Sequence, residues 1–233
     1  MNIQCVWEHN GPDSLLYAAN FPGAFARGAS LEEALSKMPR EISLYCRWRG
    51  LPEPTPACEI IQEADSALQI CDADSDVLFE TERMPLTQAE YDLLKSATLA
   101  SARDFQILYD SIPDHHQSCL KPRATFYSRI PRTAQEMYDH TRNVNSYYFG
   151  EIGTEADSEG DILECRIRGF KLLETQKDYL NNPVLSGSYG ELWSLRKMLR
   201  RFLWHDRIHA KAMRRMALRT FPGSVIANPF YFD

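Results

Sequence analysis

The spacing of apolar residues changes character part-way along the chain. Before about residue 82 it is short-ranged. Met1, Ile3, Cys5 and Trp7 alternate with polar residues, the period-two signature of a half-buried strand, and Leu15 to Asn20 predicts a second strand. Asn10-Gly11-Pro12-Asp13 is the turn between them. Phe21-Pro22-Gly23 then opens a loop. Ser30-Leu31-Glu32-Glu33 is a capping box, in which Ser30 takes a free helix N–H and Glu33 reaches back. The helix it starts is predicted to run to about Trp48 with Leu31, Ala34, Leu35, Met38, Ile42 and Tyr45 inward. Pro39 should kink or split it. Leu51 to Pro56 is a stiff extended segment. Ile60-Ile61, Leu68 to Cys71 and Val77 to Phe79 are further short strand candidates.

Beyond residue 85 the period lengthens to that of helices. Thr87-Gln88-Ala89-Glu90 is a second capping box, followed by Tyr91, Leu94, Thr98, Ser101, Phe105, Leu108 and Ile112 at steps of three and four, up to Pro113. Asp114 to Arg132 has no clear period and reads as a long loop. Thr133-Ala134-Gln135-Glu136 caps a second helix to about Gly150, with Met137, His140, Val144 and Tyr147 as its stripe. The acidic segment Thr154 to Glu164 is a solvated connection. A third helix fits Ile162 to Leu180, stopped by Asn181-Asn182-Pro183, and Gly187 to Gly190 is a flexible link.

The longest pattern is the last. Glu191 to Phe221 contains no Pro and no Gly, and Leu192, Leu195, Leu199, Phe202, His209, Met213 and Met216 form one stripe. His205 falls three after Phe202 and four before His209, on that stripe. Four residues make roughly 400° of turn and about 6 Å of rise, so the two imidazoles can reach one ion. The opposite face is basic: Arg196, Lys197, Arg200, Arg207, Lys211, Arg214 and Arg215. Asn228-Pro229-Phe230-Tyr231-Phe232 is an aromatic tail expected to dock on the helices.

Composition narrows the class. The chain has 233 residues, 44% hydrophobic and 25% charged, which is enough to bury cores. A net charge of -6 argues against a nucleic-acid binder, leaving that reading to the basic face of the last helix. No run reaches the ~20 apolar residues of a membrane span. Met1 to Cys5 has neither a charged n-region nor an apolar core, so no secretory leader is expected. The six cysteines are scattered, make no CxxC, and read as free thiols in a reducing, cytoplasmic compartment.

Three of the six histidines, His140, His205 and His209, occupy seam positions on two helices of one predicted bundle. Burying three imidazoles without partners is costly, and a divalent ion removes that cost, because neutral imidazole nitrogens suit zinc, nickel or iron. There is no HExxH, so the zincin protease reading fails for want of its general base. Glu136 is the nearest carboxylate by helix geometry, although capping also claims it. Asn143 and Tyr147 lie near the His140 face as candidate substrate contacts. Asp139 and Asp206 adjoin ligands in sequence but point away, toward surface salt bridges. His115-His116 with Cys119 is a rival cluster without a complete ligand set, and His9 is expected to be exposed beside its turn.

Two resemblances sharpen these expectations. Phe21-Pro22-Gly23-Ala24-Phe25-Ala26-Arg27-Gly28-Ala29-Ser30-Leu31-Glu32-Glu33-Ala34, a helix, and then Leu51-Pro52-Glu53-Pro54 resemble the HicB-like domain. That family implies a small β-β-α-β-type fold over residues 1–82 and a protein partner, an RNA-cleaving toxin in known cases, or a second copy of the chain. The DNA-binding appendage usual in such antitoxins is absent, so operator binding does not transfer. Thr133-Ala134-Gln135-Glu136-Met137-Tyr138-Asp139-His140 and Leu203-Trp204-His205-Asp206-Arg207-Ile208-His209 resemble the DinB/YfiT-like superfamily. This second likeness implies a four-helix bundle over residues 85–233 with a divalent metal on His140, His205 and His209. Its relatives imply transfer or isomerisation with a low-molecular-weight thiol; the open position that three histidines leave on an ion adds hydrolysis through an activated water on a small-molecule substrate. The expected architecture is therefore α+β, a HicB-like domain followed by a DinB-like bundle, with a homodimer as the expected assembly. The alternative is a non-catalytic binding module with a structural or vestigial metal site.

Overall fold

Two short apolar runs joined by a left-handed glycine make the first hairpin. In the computed structural model, which describes residues 2–66, 77–124 and 129–233, β1 (Ile3–Asn10) and β2 (Asp13–Ala18) pair antiparallel from Asn10↔Asp13 to Cys5↔Ala18. Gly11 turns between them at φ 58°. β3 (Phe25–Gly28) adds antiparallel to β2, and β4 (Cys58–Asp65) adds parallel to β1, giving the order β3-β2-β1-β4. The sequence predicts two strands before the helix; there are three, because Phe25-Ala26-Arg27-Gly28 is too short to show a period. Leu68 to Cys71 lies outside the described residues. Val77 to Phe79 is not a strand: it leads into a 3-10 turn at Glu80–Arg83, where the Glu82 carboxylate accepts the Phe79 N–H.

Strands β1, β2 and β3 bury both faces, while β4 at the edge stays largely exposed. Ile3, Cys5, Leu16, Ala18 and Ala26 pack on α1 (Leu31–Arg49) through Ala34, Met38 and Ile42. Val6, Leu15, Tyr17 and Phe25 pack the other way, on Phe79 and Trp204. This is why Leu15-Leu16-Tyr17-Ala18 reads as a continuous apolar run rather than an alternation. Ser30 accepts the Glu33 N–H and Glu33 accepts the Ala29 N–H, as the capping box predicts. The helix is not split at Pro39 and ends at Gly50, φ 64°. His9 is not exposed beside its turn: its ring stacks on Trp7 and its Nε2 stands 3.0 Å from Glu63.

Four helices follow: α2 (Gln88–Asp110), α3 (Ala134–Glu151), α4 (Ile162–Leu173) and α5 (Leu195–Thr220). The capping boxes at Thr87/Glu90 and Thr133/Glu136 form as predicted. α2 and α3 each pack against α4 and α5, so the four close into a ring. The approach of α3 to α4 depends on Gly169, where an added Cβ would collide with the Phe149 ring. α4 stops at Leu173, well short of the predicted Leu180; Glu174 caps it and its carboxylate turns back to Tyr91 and Lys95. The segment from Gly187 is no loose link. Ser188 N–H donates to Glu151 at 2.7 Å, and a two-residue strand pair, Leu185–Ser186 with Leu192–Trp193, leads into α5.

α5 departs furthest from expectation. Its basic face is only partly an outer face: Lys197, Arg200 and Arg207 are buried, as is Arg201 beside them, while Arg196, Lys211 and Arg214 are half-buried and Arg215 is exposed. Arg200 pairs with Glu82, Lys197 with Glu191 at 2.7 Å, and Arg207 and Lys211 with Glu41 on α1. Their planar or methylene parts lie against rings, Arg200 over Phe79 at 3.8 Å and Arg207 between Tyr45, Trp48 and Phe232. Arg200 can be buried this way because its faces accept aromatic contact while its edge keeps its hydrogen bonds to Glu82 and the Val77 carbonyl; Arg207 keeps only the Nη2 bond to Glu41, with Nε and Nη1 buried unpartnered. The partners come from the N-terminal elements and from the approach to α5, not from the acidic 154–164 segment, whose Asp157 takes Arg168. The aromatic tail docks as predicted, with Phe230 and Phe232 buried and Phe230 against Trp48. No helix among the described residues is long and apolar enough to cross a membrane.

Candidate metal centre

The histidines reach their positions from two helices that share a flank. The Thr133/Glu136 cap fixes the start of α3, and His140 follows one turn later. His205 and His209 stand one turn apart near the middle of α5. The ligand atoms of the three residues all lie within 4.8 Å of one another, and among the described residues no other such group of three or more potential ligands forms. His205 Nε2 stands 3.2 Å from His140 Nε2. Ring centroids are 4.4 to 5.0 Å apart across the three pairs.

The environment of each imidazole differs. His205 is 4% exposed, His209 half-buried and His140 exposed. The expected inward position of His140 is thus corrected. The buried face of α3 is Met137, Tyr138, Thr141, Asn145, Tyr148 and Phe149, and the predicted stripe lies along its edge. Two polar residues in that face hid it from a hydrophobicity pattern. Asn145 is the more consequential, since its amide donates to Asp157 O at 2.6 Å and Cys165 O at 3.2 Å and so ties α3 to α4. His140 therefore forms the rim of the centre and His205 its floor, with the Tyr148 ring 5.9 Å from His205.

Burial holds two of the imidazoles, His205 and His209, neutral. It pushes His205 well below the ordinary histidine value, with the neighbouring His209 and His140 adding to the effect. His209 is pushed down to about 3, again first by burial, then by His140 and Arg27. A neutral ring offers one lone pair, the form a metal requires. Two nitrogens each about 2.1 Å from one tetrahedral ion stand about 3.4 Å apart, close to the observed separation. The donor set fits a divalent ion of the zinc, nickel or iron type. One feature is unusual: His205 Nδ1 is buried with no hydrogen-bond partner, whereas the remote N–H of a ligating imidazole is ordinarily held by a carboxylate or carbonyl.

The Glu136 carboxylate accepts the backbone N–H groups of Arg132 at 2.8 Å and Thr133 at 3.2 Å, and those bonds lower its pKa. It is a cap on the far side of a turn from His140. Asn143 is exposed, with its side-chain oxygen 3.4 Å from Arg142. Tyr147 is half-buried against Tyr148 and Trp193, and lines a cleft at the end of α3 with Ser146, Gly150 and Glu151. Asp139 takes Arg142 at the surface. Asp206 does not: its carboxylate is buried in a two-bond pair with Arg166, at 2.5 and 3.3 Å. His115 stacks on Tyr109 and bonds its carbonyl, away from any ligand set.

No family model, no curated protein and no solved structure matches this chain.

Proposed function

We propose that this chain is a divalent-metal protein whose ion, held by His140, His205 and His209, serves the activation of a thiol or water for transfer or hydrolysis on a small molecule. The observation that carries the reading is the convergence of three imidazoles from two helices within 4.8 Å. Three protein ligands leave at least one position open, the arrangement of a reactive site rather than a closed structural one. His140 at the rim supports access from solvent to that position. An ion there supplies Lewis acidity near neutral pH. The chain's own part is to hold His205 and His209 neutral, to orient the three rings and to exclude water on the His205 side. The likeness to DinB/YfiT-like bundles supports the same reading, and the low-molecular-weight thiol belongs to that likeness alone.

One observation favours the second reading, a non-catalytic metal or partner-binding module. Among the described residues no carboxylate joins the three histidines, and the nearby Asp206 and Glu136 are occupied by Arg166 and by the α3 cap. A general base would have to come from the substrate or solvent. Metal analysis after exhaustive dialysis decides the common premise. We expect one ion per chain in the wild type and loss of it in His205→Ala; stoichiometric retention of zinc or nickel by that variant rejects the centre. Ligand exchange at a cobalt-substituted site, followed by its visible spectrum on adding a thiol, then separates an open position from a closed one.

A further inference from the structure

A cleft of about 460 Å³ opens between α1, β3 and α5, in the size range of small-molecule sites. Five cationic side chains line it, Arg27, Lys37, Arg40, Lys211 and Arg215, against two carboxylates, Glu41 and Asp233. This is a local reversal of sign in a chain of net charge -6. Both carboxylates are already engaged, and Lys37 pairs with Glu33 of its own helix at 2.5 Å, so the surplus of positive charge is smaller than the lining alone shows. Glu41 is shared by Lys211 and the buried Arg207, and Asp233 takes Arg40 with its Nε at 3.0 Å. Arg215 is exposed on the α5 wall. Phe25 and Ile208 supply apolar wall, and the Lys211 ammonium sits 5.8 Å from the Phe25 ring. Low-dielectric walls around like charges focus an attractive field for an anion.

The cleft also has an address. Ile208 precedes His209 and Ala212 follows it by three residues, so the turn of α5 that carries His209 forms part of the wall. We propose that the cleft binds a small organic anion with paired negative charges, a phosphate ester or a dicarboxylate, as the handle of the substrate presented to the three histidines. The word substrate rests on the function proposed above; anion binding itself does not.

Calorimetric titration of the full chain with pyrophosphate and with succinate, at low ionic strength, tests this in metal-free and zinc-loaded protein. At least one probe should bind saturably. Arg215→Ala should weaken it about tenfold, the worth of one charge-assisted hydrogen bond, and Asp233→Asn, which releases Arg40, should tighten it. Arg215 is exposed, so its variant should melt with the wild type. Binding of pyrophosphate alone assigns a phosphate ester, and of succinate alone a dicarboxylate. No saturable binding of either probe, or wild-type affinity in both variants, overturns the cleft. Persistence of binding in metal-free His205→Ala keeps the cleft even if the metal centre fails, and stoichiometric zinc without anion binding removes the cleft alone.

Discussion

Two imidazoles with pKa values below their unfolded range make the stability of the metal-free protein depend on pH in a defined sense. In the unfolded chain His205 and His209 titrate near 6.5, and folding depresses both, His209 to about 3. Between those values the unfolded chain binds protons that the folded chain does not. Stability is therefore complete above about pH 6.5 and falls as pH falls, for His209 by about 1.4 kcal/mol per pH unit down toward 3, with His205 acting in the same direction. Urea denaturation of metal-free protein across that range should show the slope. It should flatten in His209→Gln, and equal slopes in both proteins would reject the assignment. At this same scale the sequence exposes identities but not surroundings. The HxxxH spacing shows that His205 and His209 share a helix face. It does not show that His140 sits at a rim, since that follows from Thr141 and Asn145 taking the core positions beside it.

Three helix starts were legible because capping is local chemistry, whereas the last helix, predicted from Glu191, starts only at Leu195, after the strand Leu192–Trp193 and with Ser194 as its cap. Ser30, Thr87 and Thr133 each cap the helix they were expected to cap, and the end at Gly50 needs only one left-handed residue. Helix ends set by distant partners were not legible. The predicted run to Leu180 fails because Glu174 engages Tyr91 and Lys95 on α2. β3 escaped notice because four residues carry no usable period. Interhelical spacing is decided at single residues such as Gly169. Gly169→Ala should cost about 1 to 3 kcal/mol by overpacking against Phe149, and more than its helix propensity would return. Thermal unfolding of the variant measures this; an unchanged or raised midpoint would mean that α3 and α4 move apart without penalty.

Across the whole molecule, α5 is the shared wall. Trp204 closes the core beneath the sheet while Met198, Leu199 and Phe202 close the core among the helices. Its cations find their carboxylates on α1, in the Glu80–Arg83 turn and at Glu191. Removing one partner of such a buried pair leaves a charge without compensation, at a cost of about 3 to 5 kcal/mol. Glu41→Gln should therefore destabilise by that order. Because the lost contact joins α1 to α5, sheet and helices should still unfold in one transition. Far-ultraviolet dichroism and tryptophan fluorescence should give superimposable curves, and two resolved transitions would show the parts to be independent.

By itself the sequence determined what nearest neighbours decide: strand and helix periods, three capping boxes, and a histidine spacing that can bring two rings to one ion. The tertiary structure alone decided which faces are inside. A basic stripe on a helix looks like a solvent face because charge is costly to bury, and only when Glu41, Glu82 and aromatic rings arrive from other elements does burial become affordable. The meeting of His140 with the other two is of the same kind. It depends on how α3 lies against α5, which side chains far apart in the chain settle by packing.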